Sequence, residues 1–278
     1  MNTENSKKIE FNEEHPWPDK AGIASLYRFI KIDWSKEDRL EDLFINVKLY
    51  QVLPKGLNDP FECKPHFVWP NDAAKVKSMR AHLVKSAKKI GVSKKHAEKQ
   101  VSKLMSDSKN TREIIFKVMR DAYAKLRLCS FTETKDNLLF WSHYADSHRG
   151  ICIEFDATSL LISYAYKVKY SDSYPAVDYP ISDVSQAFRP ALIKSKYWEY
   201  ESEYRTIFNP DSATQPENDG ESFILKGNEI KNIYFGANMK NDDKNRLIKL
   251  INKGPFNPKF WNARLSKSAF SLEFEEWS

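Results

Sequence analysis

The sequence predicts an α+β fold. A mixed, mostly antiparallel sheet, open to a split, carries flanking helices and an inserted basic three-helix segment. Three observations point there. Short apolar-alternating runs recur along the chain, Ser25-Leu-Tyr-Arg-Phe-Ile-Lys-Ile32 the first of them. Helical periodicity with heavy charge is concentrated between Ala73 and Arg127. Only eight glycines occur in 278 residues, with no phosphate-cradling glycine loop, which disfavours a glycine-rich nucleotide fold. Residues 1–20 read as a polar, partly disordered tail, and 21–278 as a single domain with its insertion at 73–127.

The elements follow in order. Ala24 to Ile32 is a strand, with Leu26, Phe29 and Ile30 in the core and Arg28 a charge within it. Ser35 caps a short helix reaching about Leu43. Ile45 to Leu53 is a second strand, closed by Pro54 and Gly56. Leu57-Asn-Asp-Pro-Phe-Glu62 is a turn, because Asn and Asp side chains bond their own backbone. The insertion breaks near Gly91-Val-Ser93 and Ser106-Asp-Ser108 into three helices. In the third, Ile114, Ile115, Val118, Met119, Ala122 and Leu126 form an apolar stripe. Leu126 to Thr132 is a strand. Phe140, Trp141 and Tyr144 share one face of a short helix that Gly150 stops, and Ile151 to Asp156 follows as a strand with one apolar face. Leu160 to Tyr170 is another strand, Ser182 to Ser195 a helix, and Tyr204 to Phe208 alternates as a strand. Glu221 to Leu225 and Ile230 to Phe235 are strands, Asp242 to Asn252 a helix, and Phe260 to Phe274 a closing hairpin.

Composition narrows the function. Charged residues at 29% and hydrophobic residues at 41% describe an ordinary folded domain. Cys63, Cys129 and Cys152 are far apart and make no metal-binding spacing, so no metal is expected and a reducing, cytoplasmic setting fits. No apolar run is long enough to span a membrane. Between Ala73 and Arg127, 16 Lys and Arg face 4 Asp and Glu, a charge of +12; the rest of the chain carries −6. Such a run is most simply a solvated face, and alternatively a surface for nucleic acid.

Two stretches concentrate chemistry. Phe140-Trp-Ser-His-Tyr-Ala-Asp-Ser-His-Arg-Gly150 places Trp141, His143, Tyr144 and His148 at a helix-to-strand joint. Trp198-Glu-Tyr-Glu-Ser-Glu-Tyr-Arg205 places Glu201 and Glu203 two apart, where close carboxylates repel and one can hold its proton. Taken singly, each side chain has an ordinary structural use: ring faces in a core, an Asn58-Asp59 turn, a Glu paired with Arg205.

The order Leu26-Tyr-Arg-Phe29, Asn58-Asp-Pro-Phe-Glu62, Ser130-Phe-Thr132, Trp141 to Phe155, and Trp198 to Arg205 resembles the bacterial domain of unknown function 2971 family. More distantly, Arg28, Tyr144 and Glu203 resemble the Arg, aromatic and Glu of the ADP-ribosyltransferase group. That resemblance implies NAD bound in a cleft of a split sheet. Arg28, beside Tyr27, would grip the dinucleotide, and Tyr144 or Trp141, with His143 near, would meet nicotinamide. Glu203 would steady the ribose cation, and Glu201 would take the acceptor's proton. Asn58, Asp59, His148 and Arg205 would meet the substrate. A toxin or phage-defence effector acting on nucleic acid or protein, with a protein partner or antitoxin, is the corresponding expectation. Two alternatives stay open: a nucleotide or nucleic-acid sensor without chemistry, and a metal-independent hydrolase or nuclease using His143, His148 and Glu154.

Overall fold

The computed structural model describes residues 3–181, 184–210 and 216–277. Its frame is an eight-stranded sheet. β1 (Ser25–Ile30), β4 (Arg127–Thr132) and β5 (Ile151–Asp156) lie at its centre. Six residues of β5 pair with β1 on one side, and its other edge pairs with β12 (Ile230–Phe235). β13 (Lys259–Leu265) and β14 (Leu272–Glu276) extend the sheet beyond β12. On the other wing β4 pairs with β10 (Glu203–Phe208), which pairs with β6 (Tyr166–Lys167). Within this sheet every ladder is antiparallel except β12 with β13. Three small pairs lie outside: β2 (Lys48–Tyr50) with β11 (Ser222–Ile224), antiparallel, and β3 (His66–Val68) with β8 (Ala176–Asp178) and β7 (Lys169–Ser171) with β9 (Ile193–Ser195), both parallel.

Helices cover the sheet. α2 (Glu37–Phe44) and α8 (Asn241–Ile251) pack Leu40, Phe44, Leu247 and Ile251 onto one face with Leu26, Ile153 and Phe155. α6 (Leu138–His143) covers part of the other, burying Trp141 against Phe29 and Cys152. Residues Ile151 to Phe155 are therefore all buried, where the sequence suggested one covered face. α1 (Thr3–Glu14) and α7 (Val184–Leu192) complete the set of larger helices beyond the insertion.

The insertion forms α3 (Ala73–Lys89), α4 (Lys94–Ser106) and α5 (Ser108–Ala124), broken at the expected places. Of the expected apolar stripe, Ile115, Met119 and Leu126 are buried and Ile114, Val118 and Ala122 are exposed. The buried positions of α5 are Thr111, Ile115, Met119 and Tyr123, four residues apart. The inward stripe follows the partner it meets, the cluster of Phe67, Leu126, Val177 and Ala191, rather than peak hydrophobicity.

Three further expectations are corrected. The tail carries α1, with Phe11 buried and His15 Nδ1 donating to Lys167 O at 2.8 Å, so aromatic packing against Tyr166 orders it. Asp33, not Ser35, caps the first short helical turn, at Trp34–Lys36. Leu160 to Tyr170 is a 3₁₀ turn (Ile162–Tyr164) followed by β6 and β7, and residues 182–183 of the expected 182–195 helix lie outside the described residues.

The joint after α6 is held by close backbone approaches. Asp146, Ser147 and His148 are all left-handed, at φ 50, 54 and 65. Asn238 N–H donates to His148 O at 2.9 Å. A Cβ on Gly236 would lie 2.1 Å from that same carbonyl oxygen. Gly236→Ala is expected to cost about 2 kcal/mol or more in urea denaturation, a strain effect on backbone with no room to yield; an unchanged midpoint contradicts this reading.

Candidate functional site

The site begins at a gap in the sheet. β1 meets β4 at one residue pair, Tyr27↔Thr132. At its other end β4 exchanges both backbone bonds of Leu128 with Val52, at 2.7 and 2.9 Å. Backbone groups alternate sides along a strand, so the N–H and C=O of Ser130 face the same way as those of Leu128. Between the two contacts they have no partner strand among the described residues. The gap opens a hollow of about 170 Å³ lined by Arg28, Phe29, Ser130, Phe140, Tyr144 and the acids below.

Arg28 enters from the side strand of this gap. Its guanidinium rests against Cys129 Sγ, and no carboxylate pairs with it among the described residues. Burial pushes the Cys129 thiol up and Arg28 opposes that shift.

A knot of buried charge forms the floor. Glu62, Lys194, Glu201, Glu203 and Arg205 are each at most 4% exposed at the side chain. Lys194 of β9 lies 2.5 Å from Glu201, 3.1 Å from Glu203 and 3.5 Å from Glu62. Arg205 grips Glu203 with Nε to Oε1 at 2.6 Å and an Nη to Oε2 at 2.9 Å. It also contacts Glu62 and donates to Ala191 O at 2.9 Å. Glu62 Oε1 makes no hydrogen bond among the described residues. Three acids face two cations here, and Arg28 is the third positive charge on the hollow.

Local sequence explains the placement. Asp59 Oδ1 accepts from Phe61 N–H at 2.8 Å, the turn chemistry that swings Glu62 inward, and Asp59 Oδ2 accepts from Trp198 Nε1 at 2.7 Å. Ser202 is left-handed at φ 43, so a 3₁₀ helix (Lys196–Glu201) ends and β10 starts between the two acids. They share the hollow through this kink, not through strand alternation. Asn137 caps α6 through Leu139 N–H at 2.9 Å and holds Tyr200 O at 3.0 Å, tying the helix to that same turn.

The two carboxyls differ. Burial disfavours the Glu203 charge, but Arg205 and Lys194 outweigh it and lower its pKa to about 2. Burial raises the Glu201 pKa, with Glu203 adding to the effect and Lys194 opposing it. One acid is thus a fixed anion and its neighbour a group able to carry a proton, the division acid–base chemistry needs. Tyr144 donates to Glu201 Oε1 at 2.6 Å and accepts from Asn58 Nδ2 at 3.1 Å, a bridge at the exposed side of the hollow. Burial and Glu201 push the Tyr144 phenol up, so it remains a donor.

Of the residues singled out in the sequence, Tyr27, Arg28, Asn58, Tyr144, Glu201, Glu203 and Arg205 line this hollow. Four others do not. Trp141 is fully buried, donating to Lys135 O at 2.7 Å, so it is core and presents no ring to a ligand. His143 is exposed on α6. His148 stacks on Trp141 within the left-handed turn. Asp59 lies in the wall beside the hollow. Arg205 makes four hydrogen bonds to Glu203, Glu62 and Ala191 O and is buried, so it organises the acids and does not face a substrate. The His143, His148 and Glu154 grouping is not supported: none lines the hollow, and Glu154 accepts from Ser25, Asn232 and Tyr234 at 2.7–2.8 Å. Lys194, Glu62 and Ser130 are participants the sequence did not reveal. Lys194 fell within an expected helix, and only the β7–β9 pairing brings it here.

Among the described residues no group of His, Cys, Asp and Glu is arranged to hold a metal ion, and no helix is long and apolar enough to cross a membrane. No family model, no curated protein and no solved structure matches the chain.

Linkage gives a test of the charge knot. The Glu203 pKa is depressed below its ordinary 4.5, so its contribution to stability is full above about pH 4.5 and is lost as pH falls toward about 2. Glu203→Gln is expected to lower stability at pH 7 and to flatten the acid limb of the denaturation midpoint between about pH 4.5 and 2. An acid limb parallel to that of the wild type contradicts the assignment.

Proposed function

We propose that the hollow is the reaction site of an NAD-consuming enzyme, an ADP-ribosyltransferase or NAD glycohydrolase. One observation carries this: a guanidinium without an acid partner among the described residues and three buried carboxylates line the same hollow, at the point where two strands part. Buried ion clusters are poor stabilising devices, since apolar replacements of similar volume are often neutral or better. Their concentration around a hollow is better explained by chemistry.

The chemistry follows from charge. Cleavage of the nicotinamide–ribose bond sends the bonding pair to the ring nitrogen and leaves positive charge on the ribose. Glu203, held ionised, faces that developing cation, which is electrostatic stabilisation in a water-poor site. The backbone N–H and C=O of Ser130, without a partner strand on that side among the described residues, match the acceptor and donor of the nicotinamide carboxamide. Phe29, Phe140 and Tyr144 supply ring surface beside them. The acceptor oxygen or nitrogen forms the new bond to the ribose carbon, and its proton passes to Glu201. Arg28 supplies the positive charge for the diphosphate. At about 170 Å³ the hollow falls below the ~300–1,000 Å³ typical of sites that enclose a whole ligand. It takes the nicotinamide end, and the rest of the dinucleotide lies outside it.

A nucleic-acid acceptor is supported by the insertion. Lys77, Arg80, Lys85, Lys88 and Lys94 line one groove of α3 and α4 against a single acid, Glu98. Such a surface suits a phosphate backbone and would give salt-dependent binding.

The test uses NAD labelled in the nicotinamide ring, with and without total nucleic acid. Free nicotinamide is expected from the wild type. Arg28→Ala and Glu201→Gln are expected to reduce its release by about 100-fold or more, in keeping with loss of a binding charge or a proton-transfer group. Release that is absent from the wild type, or undiminished from the wild-type level in both variants, rejects this function.

A further inference from the structure

Beside the hollow lies a second, larger cleft of about 540 Å³. Its lining is unusually aromatic for a free surface. Phe61 is 63% exposed, Tyr174 47% and Tyr197 91%, and Trp198 joins them. Single exposed rings are ordinary, but several converging on one cleft mark a binding surface. Two rigid contacts hold the cleft in place. Trp198 is pinned to Asp59 at 2.7 Å, and Asp59 fixes the backbone of Phe61 at 2.8 Å.

The cleft and the hollow share a wall. Lys194 lines both, with its ammonium on the three carboxylates and 4.9 Å from the Trp198 ring centre. The turn from Leu57 to Glu62 runs between them, giving Asn58 and Glu62 to the hollow and Asp59 and Phe61 to the cleft. Lys64, an exposed cation with no carboxylate partner among the described residues, lies 6.0 Å from the Phe61 ring centre at the cleft's edge.

We infer that this cleft binds the adenosine half of the dinucleotide, with the purine against the exposed rings and a phosphate near Lys64. The inference rests on the NAD reading of the hollow and adds a location for the part the hollow is too small to hold. A planar base is the ligand that ring faces recognise without needing matched hydrogen bonds. Nearby positive charge suits the attached phosphate. The other surfaces fit this role less well. The groove of α3 and α4 has five cations but no ring among its lining residues. The apolar cavity around Leu160, Phe188 and Phe208 presents no cation.

Calorimetric titration with AMP tests the site directly, on the full chain. The side chains of Phe61 and Tyr197 are exposed and make no hydrogen bond among the described residues, so the double variant Phe61→Ala with Tyr197→Ala should fold as the wild type does. AMP is expected to bind the wild type and to lose 10-fold or more in affinity in the double variant. The KM for NAD should rise by a similar factor while kcat holds. AMP binding that is absent, or equal in both proteins, overturns the inference. So does a single-stranded oligonucleotide losing affinity in the double variant while AMP does not, since that assigns the cleft to an acceptor base. The two readings fail separately. Nicotinamide release with an unchanged KM in the double variant removes the cleft and leaves the hollow. AMP binding lost in the variant, without nicotinamide release from any form, leaves a mononucleotide site and removes the transferase.

Discussion

Among the described residues strand β1 pairs its backbone with strand β4 only at Tyr27↔Thr132, and the arrangement of the site depends on that single pairing. Continuous pairing would fill the gap with ladder hydrogen bonds and leave no hollow. Two contacts prevent it. Val52 takes the backbone of Leu128, and β5 holds β1 along its full length, so neither strand can shift to close the gap. A one-residue slip would move Leu26 and Phe29 each to the opposite face, out of the separate clusters that they fill, which makes this register hard to exchange. The exposed strand edge thus persists inside the protein, where loops and the charged floor protect it from pairing with another chain.

The charged floor is the second constraint. Five ionisable side chains buried together incur a large desolvation penalty when charged, offset only when each finds good partners. Arg205 meets that condition for Glu203 with its paired donors, and Lys194 does so for Glu201. Glu62 is the least satisfied member, with one oxygen unbonded. The network therefore holds two neighbouring acids in different protonation tendencies. It also fixes the turn that separates hollow from cleft, because Glu62 and Asp59 are three residues apart on that turn. Electrostatics and shape are set by the same few residues.

Much of the fold was legible in the sequence, and less of the site. Alternating runs located β1, β4, β5, β10 and β12 because each carries enough apolar residues to register a period of two. The three helices of the insertion were legible from their breaks. Arg28, Glu201 and Glu203 stood out because charges within strands or at close spacing are unusual. Trp141, His143 and His148 drew attention for their chemistry, yet they build and border a strained turn that fixes α6 against the sheet. Nothing local distinguishes a Trp packed in a core from one facing a ligand. Lys194, Ser130 and Glu62 were hidden for a different reason. Their importance comes from long-range pairing, β9 with β7 and the failure of β4 to pair with β1, which no short window of sequence records.

A crystal structure of the protein soaked with nicotinamide addresses the central claim most directly. The ring is expected between β1 and β4, with its carboxamide on the backbone N–H and C=O of Ser130 and its face on Phe140 or Tyr144. Nicotinamide bound elsewhere, with ordered water alone on Ser130, would contradict the account.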